Sequence, residues 1–187
     1  MRKYIVFIIA FFLIVEIFIL SISKEKYMFN YDIISLLETG DLALIEGDSY
    51  KSDIVKIIDG HNNYSHIGFI VKNDNNVYIV HMSIDTGYIE WVNIEEYLKK
   101  CIVSNIDFYR LNNNISCSEI YALLRELNSK KVEFDFSFDH QRADKLYCSE
   151  LIIVVLNKLG YFISIDRDKR YIYPSEFTKN NVSYKIN

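Results

Sequence analysis

The sequence predicts an α+β domain: a small antiparallel sheet with helices packed to one side. Three observations carry this. Two β-rich runs, Ser65 to Lys72 and Val77 to Met82, flank the Asn-rich turn Asn73-Asp74-Asn75-Asn76, a hairpin signal. Leu151, Ile152, Val154, Val155 and Leu159 fall at i, i+1, i+3, i+4 and i+8, one face of a helix that Gly160 stops. Strand-like and helix-like segments also mix along the chain rather than alternating as βαβ units.

The 187 residues are 50% hydrophobic and 25% charged, enough for one domain with a core that needs no disulfides. One Pro and 6 Gly argue against disordered linkers. A net charge of −4 without a Lys/Arg cluster speaks against nucleic acid as a partner. The cysteines Cys101, Cys117 and Cys148 are too few and scattered for a disulfide framework.

In chain order, Met1-Arg2-Lys3 precedes an apolar run from Tyr4 to Ile22, long enough to span a bilayer and interrupted only by Glu16. The positive residues favour export of the chain beyond the run. Residues 1–23 are therefore read as a membrane anchor, a transmembrane helix, or as a signal segment cleaved near Ser21-Ile22-Ser23. Residues 24–187 form the domain. It would lie outside the cytoplasm, single-pass at the cell membrane if the anchor is kept and secreted if it is cut. Phe29 to Leu37 reads as a short helix. Gly40-Asp41 is a turn before a strand from Leu42 to Ile45. Ser52 to Ile58 has helical spacing, and Gly60-His61-Asn62-Asn63 ends it. After the hairpin come a strand from Gly87 to Trp91, a helix from Ile94 to Lys100 and a strand from Ile106 to Leu111. Ser116-x-x-Glu119 reads as a capping box opening a helix with Ile120, Leu123, Leu124 and Leu127 inward. Val132 to Phe138 reads as extended. Pro174 marks a closing turn or edge segment between Tyr171 and Phe177.

Cys148 stands in the first turn of the last long helix, where free N–H groups and the helix dipole favour a thiolate. A nucleophile needs a base. His66 and His81 lie on the two hairpin strands. An even loop puts them on one sheet face: with a loop from Lys72 to Asn75, Val71 faces Asn76 and His66 falls opposite His81, whereas a two-residue loop sets His81 opposite Gly68; an odd loop without a bulge separates them. On one face, His66 would take the thiol proton and His81 would orient His66. His61 and His140 read as solvated loop residues, Cys101 and Cys117 as packed or surface residues, Asp41 as a turn residue, and Glu150 as a complement to the helix dipole.

Gly40-Asp41-Leu42, Ser65-His66-Ile67-Gly68, Glu133-Phe134-Asp135-Phe136 and Tyr147-Cys148-Ser149-Glu150-Leu151 occur in that order. Together they resemble the permuted papain-like proteins of the NlpC/P60 superfamily, in particular the YiiX/YebB-like branch related to a poxvirus protein family. Lecithin:retinol acyltransferase-like enzymes are more distant relatives. The resemblance spans Leu36 to Phe177. It implies a circularly permuted papain-like fold, with Cys148 matching the family nucleophile, His66 the base and His81 the third polar residue. The acyltransferase relatives carry an Asn-Cys-Glu-type motif where this chain has Tyr147-Cys148-Ser149. The expected activity is a cysteine hydrolase of amide or ester bonds, acting on cell-wall peptides or lipid and acyl substrates without a cofactor. The backbone N–H of Cys148 would serve the oxyanion. Two other readings stand beside it: a catalytically silent binding or scaffold domain, and a zinc site built from His66, His81 and Cys148. The oligomeric state is not legible.

Overall fold

The computed structural model describes residues 28–60, 62–73, 76–113, 115–138, 145–163, 171–179 and 181–187. The apolar run from Tyr4 to Ile22 and the loop residues His61 and His140 lie outside them. Among the described residues no helix is long and apolar enough to cross a membrane.

Six strands form one antiparallel sheet: β1 (Leu42–Gly47), β2 (His66–Asn73), β3 (Asn76–Met82), β4 (Ile89–Asn93), β5 (Val103–Leu111) and β8 (Ser183–Lys185). Their spatial order is β4-β3-β2-β1-β5-β8. A short parallel pair, β6 (Glu133–Phe134) and β7 (Lys145–Leu146), stands apart. The helices are α1 (Tyr50–Ile58), α2 (Ile94–Lys100), α3 (Cys117–Ser129) and α4 (Cys148–Lys158).

The sheet is covered on both faces, not on one as the sequence predicts. Alternation sends Leu42, Leu44, Ile67, Phe69, Val71, Val80 and Met82 into a core with α3 and α4. It sends Ala43, Ile45, Ile70, Val77 and Ile79 into a second, smaller core with Ile94 and Tyr97 of α2 and with Leu37. The inner strands are therefore apolar at nearly every position, and β1 reads as a continuous run rather than an alternating one.

Several local expectations hold. Asn93 caps α2 by accepting the Glu95 N–H at 2.9 Å. Gly160 takes φ +79°, the left-handed conformation that ends α4. Others change. The segment after Phe29 is a 3₁₀ turn, Tyr31–Leu36, capped by Asn30. Ser116 is the N-cap residue of α3, but its hydroxyl meets Ser118 Oγ at 2.8 Å and makes no cap bond, so the predicted box does not close. On α1 the apolar Ile54, Ile57 and Ile58 face outward. Helical spacing alone cannot tell an inward stripe from an exposed one. In α4, Leu156 is buried where Val154 is only half-buried, a shift of the inward stripe toward i+5 from Leu151.

The Gly40-Asp41 turn is more than a turn. Asp41 is 2% exposed, and its Oδ2 accepts the Glu38 N–H at 2.7 Å. Arg110 on β5 grips it with two bonds, Nε to Oδ1 at 2.8 Å and Nη2 to Oδ2 at 2.9 Å. The same guanidinium reaches the Leu36 carbonyl and Glu38. A planar fork against a carboxylate fixes both groups, and the pairing holds the Arg110 pKa well above its usual value. Truncating Arg110 would leave the Asp41 charge buried and unpaired. Arg110→Ala should cost about 3 kcal/mol in urea denaturation, a figure discounted because the guanidinium is partly exposed. Arg110→Lys should recover only part of that, since an ammonium cannot make the two-bond grip.

Candidate active site

The hairpin decides the site. β2 and β3 pair with Asn73 opposite Asn76 and Phe69 opposite Val80, so the loop is the two residues 74–75. Continuing that register sets His81 opposite Gly68, and not opposite His66 as a loop from Lys72 to Asn75 would. Both histidines fall on the same sheet face, as an even loop requires. The diagonal is bridged because Gly68 has no side chain: a Cβ there would stand 3.0 Å from His81 Cβ, from Ile79 Cγ2 and from the Val80 carbonyl oxygen. His66 Nε2 and His81 Nδ1 meet at 2.9 Å, with the rings nearly perpendicular. Tyr97 of α2 packs edge-on against His81 at 5.3 Å.

Cys148 arrives from the other core. It opens α4, is 8% exposed, and belongs to the α3/α4 side of the sheet. A backbone hydrogen bond ties its sulfur to Ile67, the residue next to His66. Its charge, were it ionised, would also reach Tyr97. The sulfur at the helix start thus lies against the backbone at the beginning of β2, next in sequence to His66. The α4 opening is built by its neighbours. Glu150 is buried, and its Oε2 accepts the Tyr147 N–H at 3.1 Å. Tyr147 turns its own hydroxyl to accept the Ile172 N–H at 2.9 Å. Glu150 is therefore a capping residue that fixes the residue before the cysteine, a role its place at the third helical position signals.

The electrostatics correct one sequence expectation. Burial pushes the Cys148 thiol up; the backbone bond at Ile67, the Ser149 hydroxyl and the N–H groups of Ser149 and Cys148 pull it down but lose. Burial also holds His66 well below its usual value, and the neighbouring His81 adds to that. His81 is lowered as well, again by burial, against the opposing pull of Glu90, the Met82 backbone and Asp85. Burial thus favours the neutral thiol of Cys148 and the neutral imidazoles of His66 and His81. The helix N-terminus does act on the sulfur, as the sequence argues, but desolvation outweighs it.

The zinc reading finds no support in the arrangement of these residues. Two imidazole nitrogens on one tetrahedral zinc stand about 3.3 Å apart with both lone pairs turned to the ion. Here Nε2 of His66 and Nδ1 of His81 face each other at 2.9 Å, a hydrogen-bond distance at which one nitrogen donates to the other. Among the described residues no group of three or more His, Cys, Asp or Glu side chains is arranged to hold a metal.

Cys101 and Cys117 are exposed. The Cys117 thiol donates to the Thr39 carbonyl at 3.0 Å. Cys101 hydrogen-bonds with Tyr97, which links it to the histidine side of the sheet. Sequence reasoning missed Tyr97 and Glu90. Glu90 lies opposite His81 on β4, with Oε2 3.9 Å from Nε2. The β3–β4 register would have revealed it; nothing in the sequence marked Tyr97.

A buried cysteine at a helix start, against an antiparallel sheet whose strands carry paired histidines and precede it in the chain, defines the papain-like class in permuted order. The comparison with family models agrees. The family described as permuted papain-like amidase enzyme, YaeF/YiiX, C92, matches residues 36–182, and the chain belongs to it. Among solved structures it resembles the metalloprotein yiiX from Escherichia coli O157:H7, with TM-score 0.55 and 20% identity over 71% of this chain and 68% of that one. That likeness is one of fold. No curated protein matches.

The two lowered histidines bear on stability. Both must be neutral in the fold, while the unfolded chain takes up protons as pH falls through 6.5. Their contribution is full above that value and is lost below it, at up to about 1.4 kcal/mol per pH unit for each histidine. Urea midpoints should fall between pH 7 and pH 5, and His66→Gln should flatten that slope.

Proposed function

We propose that this chain is a thiol hydrolase of amide or ester bonds in which Cys148 is the nucleophile and His66 the base. The observation that carries it is the 2.9 Å His66–His81 hydrogen bond together with a buried helix-start cysteine whose sulfur is tied to the backbone of Ile67, the residue after His66. Membership of an amidase family supports the reaction class.

Because burial favours the neutral partners, the proton leaves as the bond forms. His66 Nδ1 takes the thiol proton while Cys148 Sγ attacks the carbonyl carbon. The oxyanion is met by the Cys148 N–H at the start of α4. His66 returns the proton to the departing amine or alcohol, leaving a thioester. Water, deprotonated by His66, then attacks the thioester carbon. The acid is released and the proton goes back to sulfur.

An activated aryl ester tests this without knowledge of the natural substrate. Mass spectrometry of quenched protein should find the acyl group on Cys148 and not on the exposed Cys101 or Cys117. Cys148→Ser should abolish it, and His66→Ala should slow it by roughly 10²–10⁴-fold, the usual worth of a positioned base. Equal acylation of all three cysteines, indifferent to His66→Ala, would make Cys148 a packing residue and the domain a scaffold.

The apolar run from Tyr4 to Ile22 behind Arg2 and Lys3 supports an exported domain tethered to a membrane, within reach of cell-wall peptides and of lipid or acylated substrates. Protease treatment of intact cells should remove the domain. Full protection, with the protein free in the cytoplasmic fraction, would overturn the topology.

A further inference from the structure

Two neutral imidazoles make a poor base without help. The shared proton can sit either way. If His81 donates from Nδ1, His66 Nε2 is the acceptor and the proton of neutral His66 sits on Nδ1, where it blocks the thiol. If His66 donates from Nε2, its Nδ1 lone pair is free and His81 must carry its own proton on Nε2. Which tautomer prevails depends on the group that faces His81 Nε2.

That nitrogen is buried and has no hydrogen-bond partner among the described residues. The group facing it is Glu90. The β3–β4 register puts Glu90 directly across from His81, and its Oε2 stands 3.9 Å from Nε2, a gap that one side-chain adjustment or one bridging water closes. We propose that Glu90 is a positioning residue, holding His81 as its Nε2–H tautomer and thereby making His66 a base at Nδ1. This rests on the reading of Cys148 and His66 given above.

The charge matters as much as the tautomer. When His66 takes the thiol proton it becomes an imidazolium in a desolvated place, and a neutral His81 offers it no counter-charge. Glu90 supplies one through His81, as the carboxylate of a triad does. Its pull on His81 opposes burial, in the direction this role requires. The other titratable or charged groups around the pair are Asp85 before β4, and Tyr97, Lys100 and Cys101 at the end of α2. Lys100 is drawn to Glu96 at 2.6 Å, so it does not claim Glu90 as its ion-pair partner. Glu90 is 35% exposed, which leaves the carboxylate one side in water and keeps its replacement from opening the core.

The test uses the purified full chain and the isosteric Glu90→Gln, with Glu90→Asp as the conservative variant. Nitrogen-15 spectra of the histidine rings read the tautomer directly. The wild type should show His81 protonated at Nε2 and unprotonated at Nδ1, and Glu90→Gln should lose that preference. With the aryl ester, Glu90→Gln should lower the acylation plateau roughly ten- to a hundredfold, a part of what a positioned base supplies. It should also move the acid limb of the pH profile to lower pH, since loss of the negative charge makes the pair less basic. Glu90→Asp should restore the limb toward the wild-type position. A merely structural role would lower the plateau without moving the limb or the tautomer. His81 protonated at Nδ1 in the wild type, or a tautomer unchanged in Glu90→Gln, overturns the inference. If the tautomer responds as described but Cys148 of the wild type is never acylated, Glu90 does hold His81 and only the hydrolase reading falls.

Discussion

The bond between His66 and His81 depends on a missing side chain. Gly68 leaves the space between two diagonal positions open, and the imidazoles lean into it from adjacent strands. Everything around the bond serves to hold those strands in one register. The two-residue loop sets it, the apolar inner faces of β2 and β3 lock it, and a slip by one residue would send every core side chain to the wrong face. The same register, carried one strand further, brings Glu90 to His81. A sheet whose two faces are both buried therefore fixes the site as a by-product of fixing its cores.

Placing the cysteine is a separate problem, because α4 packs on the face away from the histidine side chains. The solution is to bring only the helix start to the beginning of β2. The Glu150 cap and the Tyr147–Ile172 bond fix the entry of the chain into α4, and the sulfur is tied to the backbone at Ile67. On the far side of β1, the Arg110–Asp41 pair joins β5 to the turn that leads into the sheet. These are polar contacts at the ends of apolar elements, where burial alone does not fix a direction.

The sequence was most legible where period and turn chemistry agree. The Asn-rich turn between alternating runs gave the hairpin, and with an even loop the shared face of His66 and His81. The stripe from Leu151 to Leu159 and Gly160 gave α4 with Cys148 at its start. Less was legible where the outcome depends on partners distant in the chain. The parallel β6–β7 pair, the return of β8 beside β5 and the second core under α2 leave no local pattern. The outward apolar residues of α1 have the spacing of a buried face and are not one. The thiol shows the limit of local reasoning in energetic terms. A helix N-terminus can be read from sequence and favours the thiolate, but the depth of burial that outweighs it is set by strands far away in the chain. Glu90 was invisible for the same reason, since it is defined by a register and not by a motif.

Keeping Cys148 neutral and covered has a consequence for durability. Peroxide and other oxidants attack the thiolate form at accessible sulfur, and over-oxidation of a nucleophilic cysteine is irreversible. A buried cysteine whose thiol is pushed up by desolvation offers little thiolate. Cys101 and Cys117, exposed on the surface, are the sulfurs that oxidants reach first. In oxidising surroundings those two sulfurs would be modified before the buried Cys148.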